Sequence, residues 1–392
     1  MSFEKPYEGI RVVDMSQGVA GPYSAMLLAR HGADVVKIEP PEGDWSRALG
    51  AVYGDQSAFS VVANIGKRSI ALDLKKPEAR AAVDRMIPKA DVFLEGFRPG
   101  VIDRLGFSYE RLKAMNPGLV YVSISGFGQE GPLREKPAMD PILQAFTGFM
   151  AENTGPDGVP HRTPTIIVDM ATALYAHQAI VAALYAKARG APGRRIDVSL
   201  MEGAANLQAI RLMSAVRDGP FKNVSAPGGT YQAADGGWIQ IAAVKNHEFE
   251  GVCKVLGLDE LIGDPKFATT SLRYAQAPYL VDRVSDIIKT RPAAEWRDML
   301  TAAGLQNEVV QTYADFVEHP HAKATGVVSW VTQEGSDIPW ATPNPPGTAK
   351  LVQDAPEAAA PRKGQHTREI LAEAGYTPAD IDRMLSAGIA VA

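Results

Sequence analysis

The chain has 392 residues, of which 46% are hydrophobic and 22% charged, so disorder is not indicated and a globular protein with one large and one smaller domain is expected. A formal charge of −5 gives no general attraction to nucleic acid, so any polyanionic ligand must be held by a local basic patch. A lone cysteine, Cys253, excludes an internal disulfide framework and a thiolate metal cluster, and predicts a cytoplasmic location.

In chain order, Met1–Pro6 lacks the basic-then-apolar layout of a signal peptide, and the apolar runs read as shorter than the roughly 20 residues that cross a bilayer. Ile10–Asp14 is a short β-rich run, Gly18, Gly21 and Pro22 mark a loop, and Tyr23–His31 has helical spacing ended by Gly32. Val35–Ile38 is a second strand ending at Glu39. The alternation continues with strand Ile70–Leu74, helix Pro77–Ile87, strand Asp91–Glu95, helix Ser108–Met115 and strand Leu119–Ser125. Strands alternating with helices predict a parallel α/β sheet. Residues 132–164 read as loops, Thr165–Asp169 as a strand, and Met170–Ala188 as a long Ala-rich helix. Strand Arg195–Leu200 and helix Met201–Val216 follow. The character then changes: residues 225–325 read as a second domain, with a strand at Trp238–Ala242 and helices at Asn246–Leu256, Tyr279–Thr290 and Pro292–Ala303. The Pro-rich stretch from Pro339 to Pro361 reads as an extended linker before a last helix, Thr367–Ala374. The expected division is therefore 1–224, 225–325, and 326–392 returning to the first domain.

Gly126-Phe127-Gly128-Gln129-Glu130-Gly131 is a literal GxGxxG, but Pro132 and Pro137 make a poor start for the helix that dinucleotide binding requires. Glu39 stands where a ribose-binding acid would, and equally where a solvated strand end would. Lys67-Arg68-Ser69 and Lys75-Lys76 flank one strand, and Arg98 and Arg104 follow another; such cations suit phosphate groups or plain surface. Asp169, between an apolar run and a helix, suits a helix N-cap and also a desolvated nucleophile. The seven histidines show no metal-binding spacing, and no GxSxG elbow or Walker loop is present.

Ordered blocks then point to a family. They include Gly9–Asp14 with Ala20-Gly21-Pro22, Leu28–Gly43, Lys67–Lys75, Asp91–Gly106, Ser125–Gly128, Asp140–Gly148, Asp169 and Gly364-Gln365-His366-Thr367. Together they resemble the class III (family III) CoA-transferases, the group with formyl-CoA transferase, carnitine CoA-transferase and the α-methylacyl-CoA racemases. The resemblance implies a transferase that moves CoA between an acyl-CoA and a carboxylic acid through a covalent anhydride on Asp169, with Asp140 also catalytic and no prosthetic group. It places CoA contacts on Val19, Ala20, Leu72, Asp73, Leu74, Lys75, Gly96, Phe97, Arg98, Arg104, Lys136, Pro137, Ala138 and Met139. It further implies a Rossmann-like large domain, a smaller α+β domain and an interlocked homodimer; from charge, apolar run length and histidine spacing, no nucleic acid, membrane or metal partner is expected.

The chain departs from the family in three places. Gly96 stands where Asn is frequent. Met139-Asp140 replaces the His-Asp pair of the racemase branch, which favours transfer over α-proton exchange because Met carries no titrating group. The glycine-rich flap of formyl-CoA transferase is reduced to Gly228-Gly229, which argues against oxalate and formyl-CoA as substrates. An acyl-CoA racemase and a non-catalytic CoA-binding protein remain the alternatives, with a nicotinamide-dependent dehydrogenase the most distant.

Overall fold

The computed structural model describes residues 5–155, 157–219 and 227–392. It divides into two compact units, Met1–Gly219 with Lys323–Ala392, and Pro220–Ala322. The expected boundary at 224–225 lies outside the described residues.

The large unit is built on a seven-stranded sheet. Six strands are parallel: Arg11–Asp14, Asp34–Glu39, Arg68–Leu72, Val92–Glu95, Val120–Ser125 and Arg195–Ser199. Numbered along the chain, they lie in the order 3-2-1-4-5-6. The fifth strand, Val120–Ser125, is buried at every position, which is why it reads as a continuous apolar run rather than an alternation. Apolar clusters cover both faces: one centres on Phe93, Tyr121 and Ile70, the other on Val92, Val122 and Ile180.

Four sequence expectations fail here. The third strand ends at Leu72, two residues before the expected Leu74, because the Asp73 carboxylate accepts the Lys75 N–H at 3.1 Å and turns the chain toward helix Pro77–Asp84. Thr165–Asp169 is not a strand: the long helix starts at Ile167 and runs to Ala188. Its β-branched opening suits a strand locally, but Val168, Ala171, Thr172 and Ala176 form a buried helical face and an outside carboxylate caps its first turn. By length and composition this 22-residue helix is apolar enough to cross a membrane, contrary to the reading of shorter runs. It packs between helices Ala20–Arg30 and Leu200–Leu207 and carries Asp169, His177 and Lys187. The expected helix Met201–Val216 is two helices, Leu200–Leu207 and Ala209–Asp218, broken at Gln208.

The C-terminal stretch is not an extended linker. Val328–Val331 pairs with Trp340–Pro343, and Val331, Leu351, Ala358 and Ala360 pack on Met26, Leu27, Val61 and Ile65. Ala390–Val391 then adds an antiparallel seventh strand beside Leu72 and Ala71. The Gly364–Thr367 block clamps the third strand. Gly364 N–H donates to Ser69 Oγ (2.9 Å), His366 N–H to the Ser69 carbonyl (2.9 Å), and Ser69 N–H to His366 Nδ1 (3.2 Å). Gly364 has φ +68°, and a Cβ there would stand 2.5 Å from the Val391 carbonyl oxygen, so no other residue fits.

The smaller unit holds a three-stranded antiparallel sheet in the order Gln306–Val309, Trp238–Ala242, Gly229–Gln232. Ile239 and Ile241 alternate inward against helices Asn246–Leu256, Ala277–Ile288 and Ala293–Ala302. Trp296 is buried among them, its indole N–H donating to the Ile288 carbonyl at 2.8 Å.

Candidate active site

In the 3-2-1-4-5-6 order the chain reverses direction across the sheet between the first and fourth strands, so the loops leaving Asp14 and Glu95 open a crevice at their carboxyl ends. A cavity of about 510 Å³ lies there, walled by Gln17–Gly21 except Gly18, by Gly96–Pro99, and by Lys136–Met139, with Asp169 in its lining. A second cavity of about 320 Å³, over Leu72–Lys75 and Glu39–Glu42, shares Gln17 and Phe97 with the first.

Asp169 sits in the first turn of helix Ile167–Ala188, not at its N-cap, which is Ile166. The residue is partly buried and open on the cavity side. Burial pushes its carboxyl up to about 7, and the neighbouring Asp140 charge adds to the rise. Asp140 is buried and does the capping from another helix, Asp140–Phe146. Its Oδ2 accepts the Val168 N–H at 2.7 Å and the Asp169 N–H at 3.1 Å, and Oδ1 accepts Gln144 Nε2 at 2.6 Å. Asp140 therefore fixes the backbone that carries Asp169 and lies outside the lining of both cavities. Three of its roughly four acceptor sites are thus engaged, two by the backbone of the long helix and one by Gln144.

The loops are pinned from below by buried charges. Lys37 pairs with Asp44 at 2.8 Å and also donates to the Ser16 carbonyl, and Asp44 accepts the Gly18 N–H at 3.0 Å. Lys67 pairs with Asp14 at 2.7 Å and donates to the Pro22 carbonyl at 2.7 Å, while Asp14 accepts from Ser16 N–H. Glu39 is held by Arg47 at 2.7 Å and by Ser69 Oγ at 2.7 Å. These contacts correct three expectations at once: Glu39 is neither a ribose ligand nor a solvated strand end, Lys67 is neither surface nor a free phosphate ligand, and Arg68 is engaged by Asp34, Glu369 and Glu373. Such pairs cost desolvation, and losing one partner strands a buried charge.

Val19, Ala20, Gly96, Phe97, Arg98, Lys136, Pro137, Ala138 and Met139 line the larger cavity. Leu72, Asp73, Leu74 and Lys75 line the smaller one, although Leu72 itself is fully buried in the sheet core. Arg104, exposed on the short helix Val101–Arg104, lines neither. The Lys136 ammonium stands 5.5 Å from the Phe127 ring and 5.9 Å from that of Phe146. Gly126–Gly131 is a turn with no helix behind it until Asp140, so it offers no helix N-terminus for a pyrophosphate. Gly126 serves packing instead: a Cβ there would meet the Ala138 Cβ at 2.3 Å.

Sequence reasoning passed over Gln17, shared by both cavities, and Trp45, which lines the larger one and packs on Gly18. The signal for Gln17 was its place in the loop after the first strand; Trp45 is brought in by Asp44, which no local pattern reveals. Among the described residues, no group of three or more His, Cys, Asp or Glu is placed to hold a metal ion.

The model of CoA-transferase family III matches residues 7–367. The chain belongs to that family. As a family III CoA-transferase it is 38% identical over 332 residues to the acetyl-CoA:oxalate CoA-transferase of Acetobacter aceti, covering 82% of this chain and 85% of that one. It is 34% identical to the succinate–glutarate CoA-transferase of Agrobacterium fabrum, over 94% and 95% of the two chains. The crystal structure of a CAIB/BAIF family protein from Brucella suis matches with a TM-score of 0.82 and 32% identity, over 95% of this chain and 100% of that one.

Proposed function

We propose that this CoA-transferase works through Asp169 as covalent nucleophile. The observation that carries the reading is a desolvated carboxyl, raised to about 7, in the lining of a 510 Å³ cavity whose walls include Arg98, Arg134 and Lys136. Desolvation removes the water that would otherwise blunt a carboxylate, and it leaves the group ionised above neutrality.

An Asp169 oxygen attacks the thioester carbonyl, CoA leaves as thiolate, and an aspartyl–acyl anhydride forms. The thiolate attacks the Asp169 carbonyl carbon, which frees the donor acid and leaves an aspartyl thioester. The acceptor carboxylate displaces CoA from that thioester, giving a second anhydride. CoA thiolate then attacks its acyl carbon, releasing the new acyl-CoA and free Asp169. In this reading Gly96–Arg98 and Lys136–Met139 hold the pantetheine end, and Leu72–Lys75 the nucleotide end.

The chemistry predicts its own label. An acceptor acid carrying ¹⁸O in its carboxylate, turned over with acyl-CoA, deposits ¹⁸O in the Asp169 side chain, read by peptide mass spectrometry, and Asp169→Ala abolishes transfer. Full turnover in Asp169→Ala, or label-free Asp169 after turnover, refutes the mechanism.

The donor and acceptor acids are proposed to be small carboxylates of the kind named for the relatives. Two similar proteins are named for oxalate and glutarate transfer, so dicarboxylic acids are the first panel to screen. This sets aside the sequence-based argument against oxalate. A homodimer is also proposed. Helix Ala209–Asp218 exposes Ile210 (84%), Met213 (76%) and Val216 (82%) along one face, an apolar stripe of the kind that marks an interface.

A further inference from the structure

Glu95 ends the fourth strand, beside the site yet outside the lining of both cavities. It is buried, and its Oε2 accepts the Phe97 N–H at 2.8 Å. It lies opposite Ser123 in the sheet register, and the Ser123 hydroxyl is near enough to favour the charged form. Phe97 is one of the two residues common to both cavity walls. The segment between them, Gly96, has no side chain to stiffen it, and a Cβ there would come within 3.3 Å of Ser16.

We propose that Glu95 is a positioning residue that, as a carboxylate, clamps the Gly96–Arg98 loop and so fixes the aromatic wall between the two cavities. The inference rests on the reading of these cavities as the acyl-CoA site. A carboxylate accepting a backbone N–H makes a charge-assisted bond, and protonation weakens it. Burial pushes the Glu95 carboxyl up to about 7, so the clamp strengthens as pH rises through neutrality. The groups that face it are Arg195, which favours the charged form, and Asp197, which opposes it, both on the sixth strand; the Tyr121 phenol on the fifth strand is also near. Arg195 and Asp197 are paired at 2.9 Å, and the Arg195 influence on Glu95 is the larger of the two.

The test compares the full chain with Glu95→Gln and Glu95→Ala. Hydrogen exchange of the Phe97 amide, KM and kcat for acyl-CoA, and CoA affinity between pH 6 and 8 are measured, the affinities in an Asp169→Asn background to remove that titration. Loss of one charge-assisted bond predicts an amide exchanging about tenfold faster in Glu95→Ala, with Gln intermediate. KM is expected to rise more than kcat falls. The gain in CoA affinity from pH 6 to 8 shrinks in Glu95→Gln relative to its parent. A Gln variant that matches the parent in amide exchange and KM at every pH shows a space-filling group and overturns the proposal. Failure of the parent to bind CoA overturns the reading of the cavities instead, and amide exchange still decides what Glu95 does to the loop.

Discussion

The Asp169 carboxyl, the proposed nucleophile, should be a thermodynamic burden that an isosteric amide relieves. The Asp169 carboxyl is raised from 3.8 to about 7, first by burial and second by Asp140. Between those values the unfolded chain gives up a proton that the folded chain keeps, so the wild-type protein loses stability as pH rises through the window. Each tenfold difference in proton affinity corresponds to about 1.4 kcal/mol, so the burden is about 1.5 kcal/mol near pH 5 and about 4 kcal/mol at pH 8. Asp169→Asn removes both the titration and the like-charge contact with Asp140. The variant should therefore be inactive, yet more stable than the parent by an amount that grows from pH 5 to pH 8 and levels off above. Paired urea unfolding curves at equal protein concentration give the difference. A gain that does not change with pH, or a variant less stable at pH 8, refutes the claim that Asp169 is a desolvated carboxyl.

Asp140→Asn can keep one oxygen for the Val168 and Asp169 N–H groups, loses the acceptor facing Gln144 Nε2, and removes a negative charge beside Asp169, so the acidic limb of the rate–pH profile should move to lower pH; an unmoved limb argues against coupling of the two groups. Lys67→Met leaves the Asp14 carboxylate buried without its cation and should cost about 3–5 kcal/mol in chemical denaturation. Gly126→Ala drives a methyl into Ala138 and should raise KM for acyl-CoA by displacing the Lys136–Met139 wall, with little change in melting temperature if that wall gives way. Light scattering should find two chains per particle, and Ile210→Glu with Met213→Glu should convert the protein to monomer or to aggregate; an unchanged dimer places the interface elsewhere.

The parallel strands were legible because each is a short apolar run bounded by turn residues, and both faces are covered. What escaped depends on partners far along the chain. Lys37, Glu39 and Lys67 break the apolar pattern, and their role appears only when Asp44, Arg47 and Asp14 are brought beside them. The Thr165–Asp169 segment reads as a strand because Ile166, Ile167 and Val168 are β-branched. The deciding group, Asp140, is 28 residues upstream of Val168. Family resemblance could mark Asp169 and Asp140 as important without separating their tasks. The hydrogen bonds separate their settings, since Asp140 accepts two backbone amides and Gln144 while Asp169 faces the cavity.

That separation suggests why so many charges lie under this site. Asp169 and Glu95 are both held with carboxyls raised to about 7, so each withdraws stability at neutral pH. A fold carrying two such groups must hold the surrounding loops by contacts that do not relax in response. The Lys37–Asp44 and Lys67–Asp14 pairs meet that need: each ties the Ser16–Gly18 loop to a sheet strand through fully buried, mutually satisfied ions. Apolar packing tolerates small displacements, whereas a buried ion that moves loses its partner, so the loop has one acceptable position. A fixed Asp14–Gly21 segment would then support the proposed role of Asp169. Lys37→Met with Asp44→Asn, which removes both charges together, should accordingly cost more in kcat than in stability. A double variant that folds and turns over like the parent would show the ions to be incidental to catalysis.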